Sequence, residues 1–211
     1  MNRHIYVTGI DGVGKTTQVD RLVSRLTPQF RMRRVWLRFP VLVSLPLLVY
    51  ARIRGHTVYT TDGGVRVGSW EFQDSRLLRS CFPWAQLIDT VLLGAARTCL
   101  PRLLGYTLVF ERYALDVLVD VMAATKDMTL HRRPVGLCFA ALVPKGTRVV
   151  ILDAPVGEVR LRRADLRIDP ALETRARIYR GLAQHHRVRL IDASQTEAHV
   201  EEAIRTALGL P

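Results

Sequence analysis

The octapeptide Gly9-Ile10-Asp11-Gly12-Val13-Gly14-Lys15-Thr16 constrains this chain more than any other stretch. It begins where the short apolar run Ile5-Tyr6-Val7 ends, and it has the spacing GxxxxGK[ST] of a phosphate-binding loop. Glycines at these positions let the backbone wrap so that several N–H groups face a polyphosphate. The helix that follows turns its positive N-terminal end to the same oxygens. Lys15 is then placed to reach the β- and γ-phosphates, and Thr16 to ligate Mg²⁺. From Thr17 to Leu26 the residues Val19, Leu22, Val23 and Leu26 recur at helical spacing, so strand, loop and helix are expected in that order.

A chain of 211 residues with 48% hydrophobic content can bury one substantial α/β core, and we read residues 1–211 as a single domain. Lysine and arginine outnumber aspartate and glutamate 31 to 19, a formal charge of +12 that favours anionic partners. Only Lys15, Lys126 and Lys145 are lysines, so the basic character is that of arginine, whose planar fork suits phosphate. The arginines are spread along the chain without an aromatic-interleaved cluster, and nucleic acid is not expected as a partner. Cys81, Cys99 and Cys138 lack metal-ligand spacing and read as reduced, buried thiols. The N-terminus passes straight into a strand and no apolar run reaches the roughly 18 residues of a membrane span, so a cytoplasmic protein is expected.

In chain order, strands are expected at Ile5 to Thr8, Arg34 to Leu37, Thr107 to Phe110, Arg148 to Asp153 and Val188 to Ile191, alternating with helices. This predicts an α/β fold with a five-stranded parallel sheet and helices on both faces. Arg38 follows the second strand and borders the ligand crevice as the first candidate to hold a second substrate. Leu42 to Arg54 is strongly apolar and reads as a buried helix; the alternative is an Arg-flanked surface touching a bilayer or a lipid-bearing substrate. Residues 57–67 read as a hairpin turning at Gly63-Gly64, an insertion over the crevice at 56–70. Two helices are expected at 72–80 and 83–104, the second with Leu87, Ile88, Val91, Leu92 and Ala95 on an apolar face. Glu111 ends the third strand, where it can hold Mg²⁺ directly or through water, and Arg112 points at transferred phosphate. Pro155 opens a helix in which Arg160, Arg163 and Arg167 share a face.

Several of these motifs together resemble thymidylate kinase and its relatives among the P-loop nucleotide kinases. The resemblance covers most of the chain and is dense in four places: the loop through Thr17, with its internal Asp11; Leu37-Arg38-Phe39-Pro40; Glu111-Arg112-Tyr113, with Glu in place of the family's Asp; and Leu152-Asp153-Ala154-Pro155. It implies a P-loop NTPase fold with strand order 2-3-1-4-5, and ATP bound by Asp11, Gly12, Val13, Gly14, Lys15, Thr16 and Thr17. It also implies Mg²⁺ at Thr16 and Glu111, an acceptor phosphate near Arg38 and Arg112, and a mobile LID at 156–170. Because position 12 is Gly, the chain is similar to those members that supply a catalytic arginine from the LID, here Arg160 and Arg163. A homodimer is implied as well, with the helix at 83–104 offering an interface. The chain departs from the family in the apolar segment after Pro40, in the hairpin, and in lacking a clean Asn-Arg or Asp-Arg signature in the helix before the third strand.

The implied reaction is transfer of the γ-phosphate of ATP to a nucleoside monophosphate, dTMP or a relative. The alternative is a kinase for a hydroxyl acceptor, such as a deoxynucleoside, sugar or lipid-linked glycan. A hydroxyl benefits from a carboxylate base, and deoxynucleoside kinases carry Glu-Pro where this chain has Phe39-Pro40; Asp11 or Asp116 are the remaining candidates for that role. A third reading is an ATP-switched protein that binds nucleic acid or a membrane. Peripheral membrane contact is weighed there and not favoured.

Overall fold

The first strand is apolar on both sides, which a strand can afford only where helices cover both faces of its sheet. A computed structural model describes residues 4–210. Its elements are β1 (Ile5–Gly9), α1 (Lys15–Leu26), β2 (Met32–Trp36), α2 (Leu45–Ile53), β3 (Thr57–Asp62), β4 (Val65–Trp70), α3 (Arg76–Leu103), β5 (Thr107–Arg112), α4 (Ala114–Thr125), α5 (Pro134–Ala141), β6 (Arg148–Asp153), α6 (Val156–Arg162), α7 (Ala164–Arg167), α8 (Leu172–His186), β7 (Arg189–Asp192) and α9 (Glu197–Leu208). Five strands form a parallel sheet in the order β2-β5-β1-β6-β7, while β3 and β4 pair separately as an antiparallel hairpin. Every residue of β1 is buried. Tyr6 and Thr8 face α4 and α8, where Tyr6 bonds Asp116 and Thr8 bonds Asp116 and Tyr179; alternation turns Ile5 and Val7 to the side where α1 and α9 pack together.

Parallel pairing brings the C-terminal ends of β2, β5 and β1 side by side. Trp36 lies opposite Arg112 after a register shift at Val35, and the Leu37 N–H donates to the Arg112 carbonyl at 2.8 Å. On the other edge of β1, Gly9 lies opposite Leu152 of β6. A Cβ on Gly9 would stand 2.3 Å from the Leu152 carbonyl oxygen, and φ there is +144°, so only glycine lets the chain leave β1 this way.

Four expectations are corrected. The two helices at 72–80 and 83–104 are one helix, α3, running through Pro83 and Pro101, because Leu78, Phe82, Ala85 and Gln86 are buried on both sides of Pro83 and hold the interrupted turn against the core. The apolar face of that helix is not its packed face: Leu87 is buried, but Ile88, Val91, Leu92 and Ala95 are exposed. The segment 42–54 is not a buried helix, since Ala51 is the one residue of α2 that is buried. The three cysteines are free but exposed rather than buried, lying on outward helix positions.

A buried carboxylate explains the second and third of these. Asp89 of α3 is fully buried, and its oxygens accept from the N–H groups of Leu42 (3.1 Å), Val43 (2.6 Å) and Ser44 (3.0 Å) and from the Ser44 hydroxyl (2.6 Å). Gln86, one turn earlier, donates to the Pro40 carbonyl at 2.9 Å and to the Ser44 hydroxyl at 2.7 Å. These bonds turn the polar side of α3 inward, leave its apolar side outside, and seat residues 40–44 on it. Asp89→Ala would orphan three N–H groups and the buried Ser44 hydroxyl. We expect a loss of about 3 kcal/mol in urea unfolding, with faster amide exchange concentrated at residues 42–44.

Candidate functional site

The loop between β1 and α1 has left-handed glycines at Gly12 (φ +76°) and Gly14 (φ +98°), and no side chain caps α1. Within the helix the first N–H to reach a carbonyl is that of Gln18, donating to Gly14 at 3.1 Å, so the N–H groups of the first turn are left facing the loop. Lys15 is buried, and its ammonium donates to the carbonyls of Gly9 (2.6 Å) and Ile10 (2.7 Å). Burial lowers its pKa from 10.5 to about 8, against the opposing pull of Asp116, Glu111 and Asp120. A cationic cradle with unclaimed backbone donors fits the oxygens of a polyphosphate.

Asp11 is the centre of the charged groups. It accepts from Arg112 in a close ion pair, from Arg38 at 3.1 Å, and lies 3.8 Å from the Lys15 ammonium. The sheet brings these groups together: Asp11 stands two residues beyond β1, Arg112 ends the neighbouring β5, and Arg38 follows β2 beyond it. Phe39, immediately after Arg38, has φ +46°, an uncommon backbone for an aromatic residue; its ring packs 4.1 Å from that of Trp70 at the end of β4. The hairpin is thereby tied to the segment that carries Arg38.

The two residues read as metal ligands also meet. The Thr16 hydroxyl donates to one oxygen of buried Glu111 at 2.5 Å, and the other oxygen is held by Arg34 in a close ion pair. A hydroxyl and one carboxylate beside the glycine-rich loop are the kind of oxygen ligands that suit Mg²⁺, which keeps most of its shell as water. No cluster of three or more metal-ligating side chains occurs among the described residues.

Arg160 and Arg163 are not brought to the loop. Arg160 pairs with Glu173 at 3.4 Å, and Arg163 forks onto Asp165 at 3.0 and 2.6 Å. The shared face with Arg167 does not form, because α6 ends at Arg162 and Arg163 is extended before the short α7. The arginine at the loop is Arg162, which donates to the Gly12 carbonyl at 3.1 Å and to that of Ala193 at 3.2 Å. The segment 156–170 sits against the loop itself: a Cβ on Gly12 would fall 2.3 Å from Leu166 and 3.1 Å from Val159. The sequence signal for Arg162 was its place between two arginines already singled out. Arg34, read as part of a strand, had no signal beyond its charge.

Asp116 is unsuited to act as a base. It is buried, and accepts from the hydroxyls of Tyr6 (2.6 Å), Thr8 (2.8 Å) and Tyr179 (2.8 Å) and from the Tyr113 N–H (3.0 Å). Burial and the nearby Asp116 push the Tyr6 and Tyr179 hydroxyls well above the usual range, so they stay protonated donors.

No family model matches the chain, and a search of curated proteins returns no match.

The lowered pKa of Lys15 makes a stability prediction. Below pH 8 both folded and unfolded chains carry the proton and the burial cost is complete; between 8 and 10.5 the folded chain alone has lost it; above 10.5 the cost is gone. Lys15→Met should therefore stabilise the fold at pH 7, by about 2–3 kcal/mol. Denaturant titrations across pH should find that gap closing as pH rises from about 8 to about 10.5.

Proposed function

We propose that this chain is a Mg²⁺-dependent ATP phosphotransferase of the thymidylate kinase type, with a P-loop NTPase fold and a nucleoside monophosphate, dTMP or a relative, as acceptor. The observation that carries the reading is the convergence of Arg38, Arg112 and Lys15 on Asp11 at the mouth of a glycine-rich loop with unclaimed N–H groups. Numbering only the strands of the large sheet, its order reads 2-3-1-4-5, which supports the same fold.

Phosphoryl transfer needs in-line positioning and neutralisation of charge on the transferred group. Lys15 and the first-turn N–H groups of α1 would hold the β- and γ-phosphates of ATP. Thr16 would hold Mg²⁺ together with Glu111, directly or through water, and the ion would neutralise phosphate charge there. Arg38 and Arg112, kept in place by Asp11, would take the acceptor phosphate, and Arg162 lies at the loop to meet the transferred group. The carboxylates around the loop are already engaged: Asp11 with arginines, Glu111 with Thr16 and Arg34, Asp116 with four donors. A site without a free carboxylate base favours an acceptor that is already a phosphate over a hydroxyl.

The homodimer implied by the resemblance finds support in the exposed stripe of Ile88, Val91 and Leu92 on α3. Light scattering should give twice the chain mass for the wild type and a single mass for Ile88→Glu/Leu92→Glu; a monomeric wild type removes the dimer.

Turnover is measured as ADP release against a panel of nucleoside monophosphates, nucleosides and phosphosugars. We expect acceptor-dependent turnover that falls at least ~100-fold in Lys15→Ala and about tenfold or more in Arg162→Gln, with Arg160→Gln within about twofold. Failure to bind ATP sinks the reading. Binding without turnover on any nucleotide would keep the loop and discard the acceptor.

A further inference from the structure

The strongest feature left unused is the surface of α2 and the residues leading into it. On α2, Leu45, Val49 and Ile53 are 52%, 49% and 78% exposed and lie with Arg52 on one face of the helix. Val41, Leu42 and Val43 are exposed just before it. An apolar helix with one buried residue is unusual on a protein surface, where isolated apolar residues are common and contiguous ones are not. Nor is this a frayed segment. Asp89 and Gln86 spend a buried carboxylate and a buried amide on fixing residues 40–44 in this position.

Charge identifies what covers it. From Arg21 to Thr61 the chain has eight arginines and no acidic residue. Of these, Arg52 and Arg54 border the apolar face, are exposed, and have no ion-pair partner among the described residues. The groove between the end of α2 and the start of α3 continues the pattern, with Ile53 and Leu77 beside Arg54 and Arg76 and a single acid, Asp74. An apolar face rimmed by free arginines matches the interface of an anionic bilayer: side chains enter the acyl boundary while guanidinium groups meet the headgroup phosphates. A protein partner would need a matching acidic, apolar surface; an anionic bilayer supplies both properties together. At nine residues α2 is too short to cross a bilayer, and no helix among the described residues is long and apolar enough to do so.

We infer that this face, Val41 to Ile53 with Arg52 and Arg54, docks on an anionic lipid bilayer, with α2 lying in the plane of the membrane. The inference stands apart from the phosphotransfer reading, because none of these residues belongs to the loop or its arginines.

The test is co-sedimentation of the whole chain with vesicles of phosphatidylcholine alone and of phosphatidylcholine and phosphatidylglycerol in equal parts. The chain should pellet with the mixed vesicles and stay in solution with the neutral ones. Leu45→Ser/Val49→Ser/Ile53→Ser, which changes no charge, should lower partitioning at least ~tenfold, and Arg52→Gln/Arg54→Gln should also lower it. Leu137→Ser, an exposed apolar residue of α5 outside both this face and the α3 stripe, should not. Thermal unfolding and far-UV circular dichroism, unchanged in the α2 variants, exclude misfolding as the cause. Wild type that fails to pellet overturns the inference. So does equal pelleting of the triple α2 variant, which would mean unspecific adsorption of a basic chain. A change of oligomeric mass in that variant, with vesicle binding intact, would assign the face to a protein instead.

Discussion

Every group at the candidate site is reached from the C-terminal end of β1, a strand hydrogen-bonded on both edges and buried throughout. The observed pairing, Ile5 with Val109 on one edge and Gly9 with Leu152 on the other, sets where β5 and β6 end. That in turn places Arg112 beside Asp11 on one edge and Leu152 against Gly9 on the other. The loop leaves the strand at a point where a single added methyl group would strike the carbonyl of Leu152. The position of the glycine-rich loop is thus a property of the sheet, more than of the loop's own residues.

Two buried aspartates hold what the sheet alone does not. Asp116 of α4 gathers donors from β1, from α8 and from Tyr113 just before its own helix, tying the central strand to the helices on one face. Asp89 does the same for the segment after β2, which carries no regular structure of its own between Trp36 and Leu45. An unpaired buried carboxylate is costly, but each of these is surrounded by donors, so the cost is exchanged for a defined geometry. Arg38 and Phe39 lie directly before the segment Asp89 holds, and Phe39 meets Trp70 from the hairpin. The crevice is therefore bounded by parts whose relative positions are set by buried polar contacts as well as by apolar packing.

The outward-facing surfaces of α2 and α3 follow from the same contacts. A helix that uses Gln86, Asp89 and Thr90 as its inner face has to present Ile88, Val91 and Leu92 elsewhere. Their exposure does not reflect poor packing, since the buried side of α3 is complete from Leu78 to Thr98. In the same way, seating residues 40–44 on α3 leaves the outer face of α2 open.

Much of this protein was legible in its sequence. The short apolar runs Ile5-Tyr6-Val7, Thr107 to Phe110 and Val149 to Leu152, alternating with helical patterns, read as buried parallel strands, and the glycine spacing before Lys15 could be read from backbone geometry without any contact being known. The hairpin was legible too, since Gly63-Gly64 supplies the positive φ its turn requires. What local pattern could not decide was which way an amphipathic helix turns when both of its sides have something to bury, as in α3, or where Pro83 ends a helix that tertiary packing carries through. Nor could it decide which of three neighbouring arginines reaches the loop, because that depends on α6 stopping at Arg162. The sequence by itself determined the parallel α/β core, the loop and the identities of most of its charged residues, because those follow from periodicity and from conformations only glycine adopts. The tertiary structure alone decided which polar groups meet, and so which faces are left outside, because a buried hydrogen bond joins residues that may stand forty to more than a hundred positions apart in the chain.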